Sequence, residues 1–165
     1  MIEQFSKIFD GLQAAYGTYK INGRDTKGKA TGKATVVKES RTTETWEAHL
    51  SGQQSIGIIP INEDNECKWG CIDIDEYNFD HQKLLKQLQN AKLPLVVCRS
   101  KSGGAHVFLF TAEFIPAKDM QETLKRLAVS LGYGSCEIFP KQVVLHLERG
   151  DVGNFLNTPY FDHEN

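Results

Sequence analysis

Apolar positions along the chain follow two rhythms. Ile2, Phe5, Ile8, Phe9 and Leu12 recur three or four residues apart, which predicts an amphipathic helix over residues 2–15. Tyr16 to Ile21 alternates like a strand. Trp46 and Leu50 stand one turn apart with Gly52 after them, so Thr43 to Leu50 reads as a short helix. Ser55 to Ile61 (SIGIIPI) reads as a strand that Pro60 confines to an edge or a bend. An apolar strand at 69–75 comes next, then a helix from Asp80, its N-cap, to Ala91, with Leu84, Leu85 and Leu88 on one face. Leu95–Arg99 and Ala105–Thr111 are strands joined by the turn Lys101-Ser102-Gly103-Gly104. Met120, Leu124, Leu127, Ala128 and Leu131 mark another helix between Pro116 and Gly132, and a last strand falls within Cys136–Leu147.

From Trp69 the order is β-α-β-β-α-β, the split βαβ or ferredoxin-like arrangement. The expected fold class is therefore α/β (α+β), with an N-terminal αβ portion at 1–66 and a βαββαβ module at 67–165. In that topology the first and third strands are antiparallel neighbours at the centre, and the fourth flanks the first. Asp73, Asp75, the Gly-Gly turn with His106, and Glu137 should then converge on one edge.

Composition narrows the partners. With 24% charged and 40% hydrophobic residues, the 165-residue chain is ordinary for a soluble globular protein. The formal charge of −2 gives no global attraction to nucleic acid, so such binding would need a local basic patch. No apolar run approaches the ~20 residues of a membrane span, and MIEQFSKIFD lacks a signal-peptide plan, so no membrane partner and a cytoplasmic location are expected. Cys67, Cys71, Cys98 and Cys136 read as reduced, buried thiols, because Cys67 and Cys71 have no matching second pair for zinc. Gly23 to Lys29 has P-loop spacing, but Ala30 stands where the magnesium-binding hydroxyl belongs and no long helix follows. A mobile basic loop carrying Arg24, Lys27, Lys29, Lys33 and Lys38 is expected there instead. His49, His81, His146 and His163 show no ligand spacing and receive no role.

The chemistry concentrates in Trp69–Tyr77, WGCIDIDEY. On a strand Asp73 and Asp75 share a face, with Cα atoms roughly 6–7 Å apart. Like charges so placed repel unless solvated or bridged, and a hard divalent cation is the usual bridge. The consecutive glycines Gly103 and Gly104 allow backbone N–H groups to converge on an anion, with His106, Arg99 and Lys101 beside them. Each feature alone is equally at home in an ordinary strand end or hairpin; together they point to phosphate chemistry.

These residues resemble the archaeo-eukaryotic primase superfamily, the primase-polymerases. Asp73-Ile74-Asp75 and Arg99-Ser100-Lys101-Ser102-Gly103-Gly104-Ala105-His106-Val107 look like its first two motifs. HLSGQQSIGIIPI (His49–Ile61), the Cys67/Trp69 pair, EIFPKQ (Glu137–Gln142) and GNFLNTPYF (Gly153–Phe161) look like its phage- and conflict-system-associated bacterial branch. The sequence departs from the general pattern at Gly104, where the family has serine two before the histidine, and the stretch from Ser102 to His106 is one residue shorter than the conflict-system pattern.

The resemblance implies an RRM-like sheet and a DNA primase-polymerase performing template-directed nucleotidyl transfer. Asp73 and Asp75 would hold Mg2+ or Mn2+, and His106 with the turn before it would bind the triphosphate of an NTP or dNTP. Arg99, Lys101, Ser102, Gly103, Gly104 and Lys141 are the further nucleotide-binding candidates. A third acidic ligand would come from Glu137, Glu148 or Asp151, with Glu137 favoured by the strand order over its simple pairing with Lys141. Asn154 and Asn157 lie in a loop suited to sugar or template contact and equally suited to plain turn roles. The implied partners are a DNA template and primer, and a helicase or primer-handling region if the chain is the catalytic part of a longer protein. Two rivals are a nicking endonuclease of the replication-initiator kind and a non-catalytic single-strand-binding module that stacks bases on Phe108 and Phe110. The first wants a His-x-His that is missing from the sequence.

Overall fold

Strand β4 (Glu66–Ile74) is apolar on both faces because both faces are covered. The computed structural model describes residues 2–24, 30–76 and 78–162. Within them β4 lies at the centre of an antiparallel sheet ordered β5 (Leu95–Arg99), β6 (Ala105–Pro116), β4, β7 (Glu137–Phe139). A second antiparallel sheet is ordered β2 (Ala30–Val37), β1 (Tyr16–Arg24), β3 (Ile56–Ile58), β8 (Leu156–Asn157). Helices α1 (Ile2–Ile8), α2 (Thr43–Leu50), α3 (His81–Asn90) and α4 (Ala117–Leu131) complete the mixed α/β architecture. The expected βαββαβ order and the central pairing of its first and third strands are both present.

Local chemistry explains the helices. Thr42 caps α2 through a capping box with Thr45, and the Asp80 carboxylate caps α3 by accepting from the Lys83 N–H at 2.9 Å. Met120, Leu124, Ala128 and Leu131 form the buried stripe of α4, which Gly132 ends at φ +87°. These residues pack with Leu84 and Leu88 of α3 against Ile72, Ile74 and Val107 on one face of the sheet. Burying each large aliphatic side chain there contributes about 1.5–3 kcal/mol. On the opposite face Trp69, Cys71 and Phe108 meet Phe9, Trp46, Ile56 and Ile58 from the N-terminal elements. A register shift between Cys67 and Trp69 turns Cys67 toward the helices and Trp69 away from them.

Three expectations need correction. The first helix stops at Ile8 rather than running to 15. The Asp10 carboxylate accepts from Gly11 N–H at 2.8 Å, and Leu12 N–H bonds the Ile59 carbonyl at 3.0 Å, so Leu12 is buried by extended pairing. The strand at Ser55–Ile61 is shorter, Ile56–Ile58. The basic loop is largely a hairpin: Ala30–Val37 pairs with β1 along its length, which places Lys33 opposite Lys20. Lys27, Lys29 and His163 lie outside the described residues. None of the described helices is long and apolar enough to cross a membrane.

Candidate active site

Strand register brings the polar residues together. Asp73 pairs with His106 of β6 on one side and with Glu137 of β7 on the other, and His106 pairs with Cys98 of β5. Directly opposed residues share a sheet face, so Cys98, His106, Asp73 and Glu137 form a row across it, on the face away from α3 and α4. The His106 Nε2 stands 3.4 Å from Asp73 Oδ1, and His106 is buried. Arg99 pairs with Ala105, one residue out of phase with this row, so it belongs to the opposite face from His106. The thiols nearby are held in the protonated form by burial. Burial first, then the Asp73 charge, pushes Cys71 far up, and burial raises Cys98 as well.

The turn between β5 and β6 closes onto the end of β4. Ser100 N–H donates to the Gly104 carbonyl at 2.9 Å, and Gly103 N–H donates to the Ser100 carbonyl at 3.0 Å. That second bond occupies the Gly103 N–H, one of the two expected to converge on an anion. Gly103 has φ +94°, and a Cβ on Gly104 would lie 2.0 Å from the Ile74 carbonyl oxygen. A side chain at 104 would therefore have to displace the Ile74 carbonyl. Ser102 Oγ donates to Asp75 Oδ1 at 2.8 Å and stands 3.1 Å from Ser100 Oγ. The His81 Nε2 bonds the Gly104 carbonyl at 2.9 Å, bracing the turn from the start of α3.

Asp73, Asp75, Ser100, Lys101, Ser102 and His106 form one wall of a cavity of about 210 Å3, whose other wall is Tyr19 and Asn157 from the first sheet. The convergence of both aspartates, His106 and the turn agrees with the strand-order expectation. Glu137 and Lys141 do not line it. They form an ion pair at 2.7 Å and line a separate groove of about 540 Å3 beside α4. Sequence reasoning missed Tyr19, over whose ring Lys101 Nζ lies 2.9 Å from the centroid, and gave His81 no role. His81 had a usable signal in its position directly after the Asp80 cap of α3, but nothing in the sequence places Tyr19 against Lys101. Phe108 and Phe110, the stacking platform of the binding-module rival, pack on Phe9 at 5.4 and 5.6 Å between ring centroids.

The family model for the archaeo-eukaryotic primase domain of TOTE conflict systems matches residues 3–165. The chain belongs to this family. Among curated proteins nothing matches. As a member of the archaeo-eukaryotic primases, the chain is a primase-polymerase-like protein, and primase domains of this kind generally use divalent metals.

The donors of the site fit such an ion. Asp73 and Asp75 present hard carboxylate oxygens to one cavity. Mg2+ commonly takes one or two carboxylates and completes its shell with waters and substrate phosphate oxygens. Among the described residues no three of His, Cys, Asp or Glu are grouped so as to hold one ion, and the Glu137 carboxylate is paired with Lys141.

Proposed function

We propose that this domain is a DNA primase-polymerase that transfers a nucleotidyl group from an NTP or dNTP to a 3′-hydroxyl on a DNA template. The observation that carries the reading is the meeting of Asp73, Asp75, Lys101, Ser102 and His106 around one cavity. Mg2+ or Mn2+ bound to Asp73 and Asp75 would neutralise developing charge on the transferred phosphoryl group. The remaining roles fall to the chain itself. Lys101, with its ammonium at the cavity wall, attracts the triphosphate, and the Tyr19 ring holds that ammonium in place. Ser102 fixes the Asp75 carboxylate through its hydroxyl, and His106 fixes Asp73 from the neighbouring strand. Glu137, in register with Asp73, would supply a third acidic ligand if released from Lys141. Holding the reactants in line within a preorganised polar site is the main source of acceleration in such transfers.

The test is incubation with primed and unprimed DNA templates, labelled nucleotides and Mg2+ or Mn2+. Templated extension is expected, and products from the unprimed template would add initiation to it. Wild-type protein that incorporates nothing under either metal would sink the reading.

A further inference from the structure

Strand β1 is held in the first sheet for only part of its length. It pairs with β3 at Gly17 and Thr18, whereas its pairing with β2 continues out to Arg24 and Ala30. Beyond Thr18, among the described residues, β1 and β2 pair only with each other and form a two-stranded arm. A ribbon of two strands has little core of its own, so packing alone does not account for it.

The two faces of the arm differ. Tyr19 lies on the face turned to the cavity, and a Cβ on Gly32 would stand 2.6 Å from its ring, so that glycine leaves the room the ring fills. Alternation puts Thr18 and Lys20 on the other face, directly opposite Thr35 and Lys33. Both lysines are exposed. Like charges so opposed destabilise a strand pair, and β1 and β2 contain no acidic residue to offset them. The same bias runs through the sequence: Tyr16 to Lys38 holds six lysines and arginines against one aspartate, in a chain whose formal charge is −2. A positive concentration of this kind on an exposed ribbon suits an anionic partner.

On the strength of the nucleotidyl-transfer reading, we propose that the arm holds the phosphate backbone of the template DNA strand through Lys20 and Lys33. Ammonium groups and the threonine hydroxyls beside them are donors that match phosphate oxygens. These two rungs carry no aromatic ring for bases to stack on, so the grip is electrostatic and indifferent to sequence. The lysine pair is the next rung after Tyr19, which brings a strand lying on it to the rim of the cavity. An acidic protein would meet the same charges, but it has no reason to lie beside a transfer site.

Binding of a fluorescein-labelled single-stranded DNA oligonucleotide of mixed sequence can be followed by anisotropy over a series of salt concentrations. Wild type is compared with Lys20→Gln/Lys33→Gln and with Lys83→Gln/Lys86→Gln, which removes the same charge from α3 on the helical side of the second sheet. Losing two phosphate contacts should flatten the slope of log affinity against log salt by about 1.4 and weaken binding about 25-fold at about 0.1 M salt. The α3 variant should stay within about twofold of wild type, and Lys20→Arg/Lys33→Arg, which keeps both charges, should match it. Affinity for ATP with Mg2+ should be unchanged throughout, since none of these lysines lines the cavity. An unchanged slope in the arm variant, or an equal loss in the α3 variant, overturns the proposal and leaves the lysines as guards of an exposed strand edge. Primer extension by wild type separates the two failures. Extension alongside an indifferent arm variant removes only the arm, and DNA binding through the arm without extension removes only the transfer reading. Wild type that neither binds DNA nor extends removes both.

Discussion

The two sheets that meet at the cavity are held together in different ways. The sheet built on β4 is clamped between α3 and α4 on one face and an aromatic cluster on the other, and its chemical groups emerge only at one end. Asp73 and Asp75 carry little of that packing. The first sheet is assembled from distant pieces, and polar ties fasten them. The His49 Nδ1 accepts from Ile56 N–H at 3.2 Å, which leaves Nε2 to donate to the Pro159 carbonyl at 2.9 Å. Thr158 adds two bonds to the Ile56 carbonyl, from its N–H at 3.0 Å and its hydroxyl at 2.9 Å. The segment bearing Asn157 is thereby pinned to β3 from both sides. One wall of the site can lose a functional group without losing its frame, whereas in the other placement and stability depend on the same contacts.

The sharpest test of that difference is Asp73→Ala. Removing a ligand for the ion that stabilises the transferred phosphoryl should lower incorporation by about a thousandfold or more. Thermal unfolding should stay close to wild type, since the Asp73 side chain, a quarter exposed near the end of β4, lines the cavity rather than the apolar core. Retained extension, or a large fall in unfolding temperature, breaks the comparison.

His49→Ala should do the opposite. It strands the Ile56 N–H and the Pro159 carbonyl and removes a fully buried ring, at a cost of about 2–4 kcal/mol in denaturant unfolding. The pH dependence carries a sign. Burial holds the His49 imidazole below its ordinary value of 6.5, partly countered by the Pro159 carbonyl. Between the two values the unfolded chain binds more protons, so stability rises with pH. The contribution is complete above about pH 6.5 and is lost as pH falls through the folded value, with a slope of at most about 1.4 kcal/mol per unit. His49→Gln should remove that part of the slope. An unchanged profile would show that His49 is not the proton-linked tie.

Gly104→Ala is expected to cost less, about 1–3 kcal/mol, because its Cβ must displace the Ile74 carbonyl from 2.0 Å away. Gly104→Ser, whose Cβ meets the same carbonyl, should cost as much. A neutral Gly104→Ser would mean that the turn has room the close approach denies.

How far the sequence revealed this molecule follows the same division. The elements from β4 to β7 are contiguous and locally patterned, so the DID strand, the Asp80 cap and the Gly132 stop were all readable, and strand order alone predicted the register of Asp73 between His106 and Glu137, though the Glu137 carboxylate turns to Lys141 instead of the cavity. The first sheet left little signal. β2 is an edge strand of Gly, Lys and Thr without apolar alternation, and β8 is two residues long, recruited from the far end of the chain. Leu12 mimicked helical spacing because burial repeats whatever buries it. Which wall faced Lys101 was a long-range fact, and the alternation of β1 gives no hint that Tyr19 would lie there.

The smallest effect concerns Glu137, which belongs to the charged wall by register but not by contact. Its carboxylate is 62% exposed and paired with Lys141, itself 32% exposed. An exposed pair of this kind is worth about 0–1 kcal/mol, so freeing Glu137 can change ion affinity by no more than about fivefold. Lys141→Met removes the competitor while keeping an unbranched apolar stem. In nucleotide-free protein, Mn2+ titrated by electron paramagnetic resonance should bind Lys141→Met about two to five times more tightly than wild type. The gain should vanish when Glu137→Gln is added, since the amide is a weaker ligand and no longer pairs with a cation. If Lys141→Met binds Mn2+ no better, or if the gain survives Glu137→Gln, then Glu137 is not the third acidic ligand. Asp73 and Asp75 would then hold the ion with water and phosphate alone.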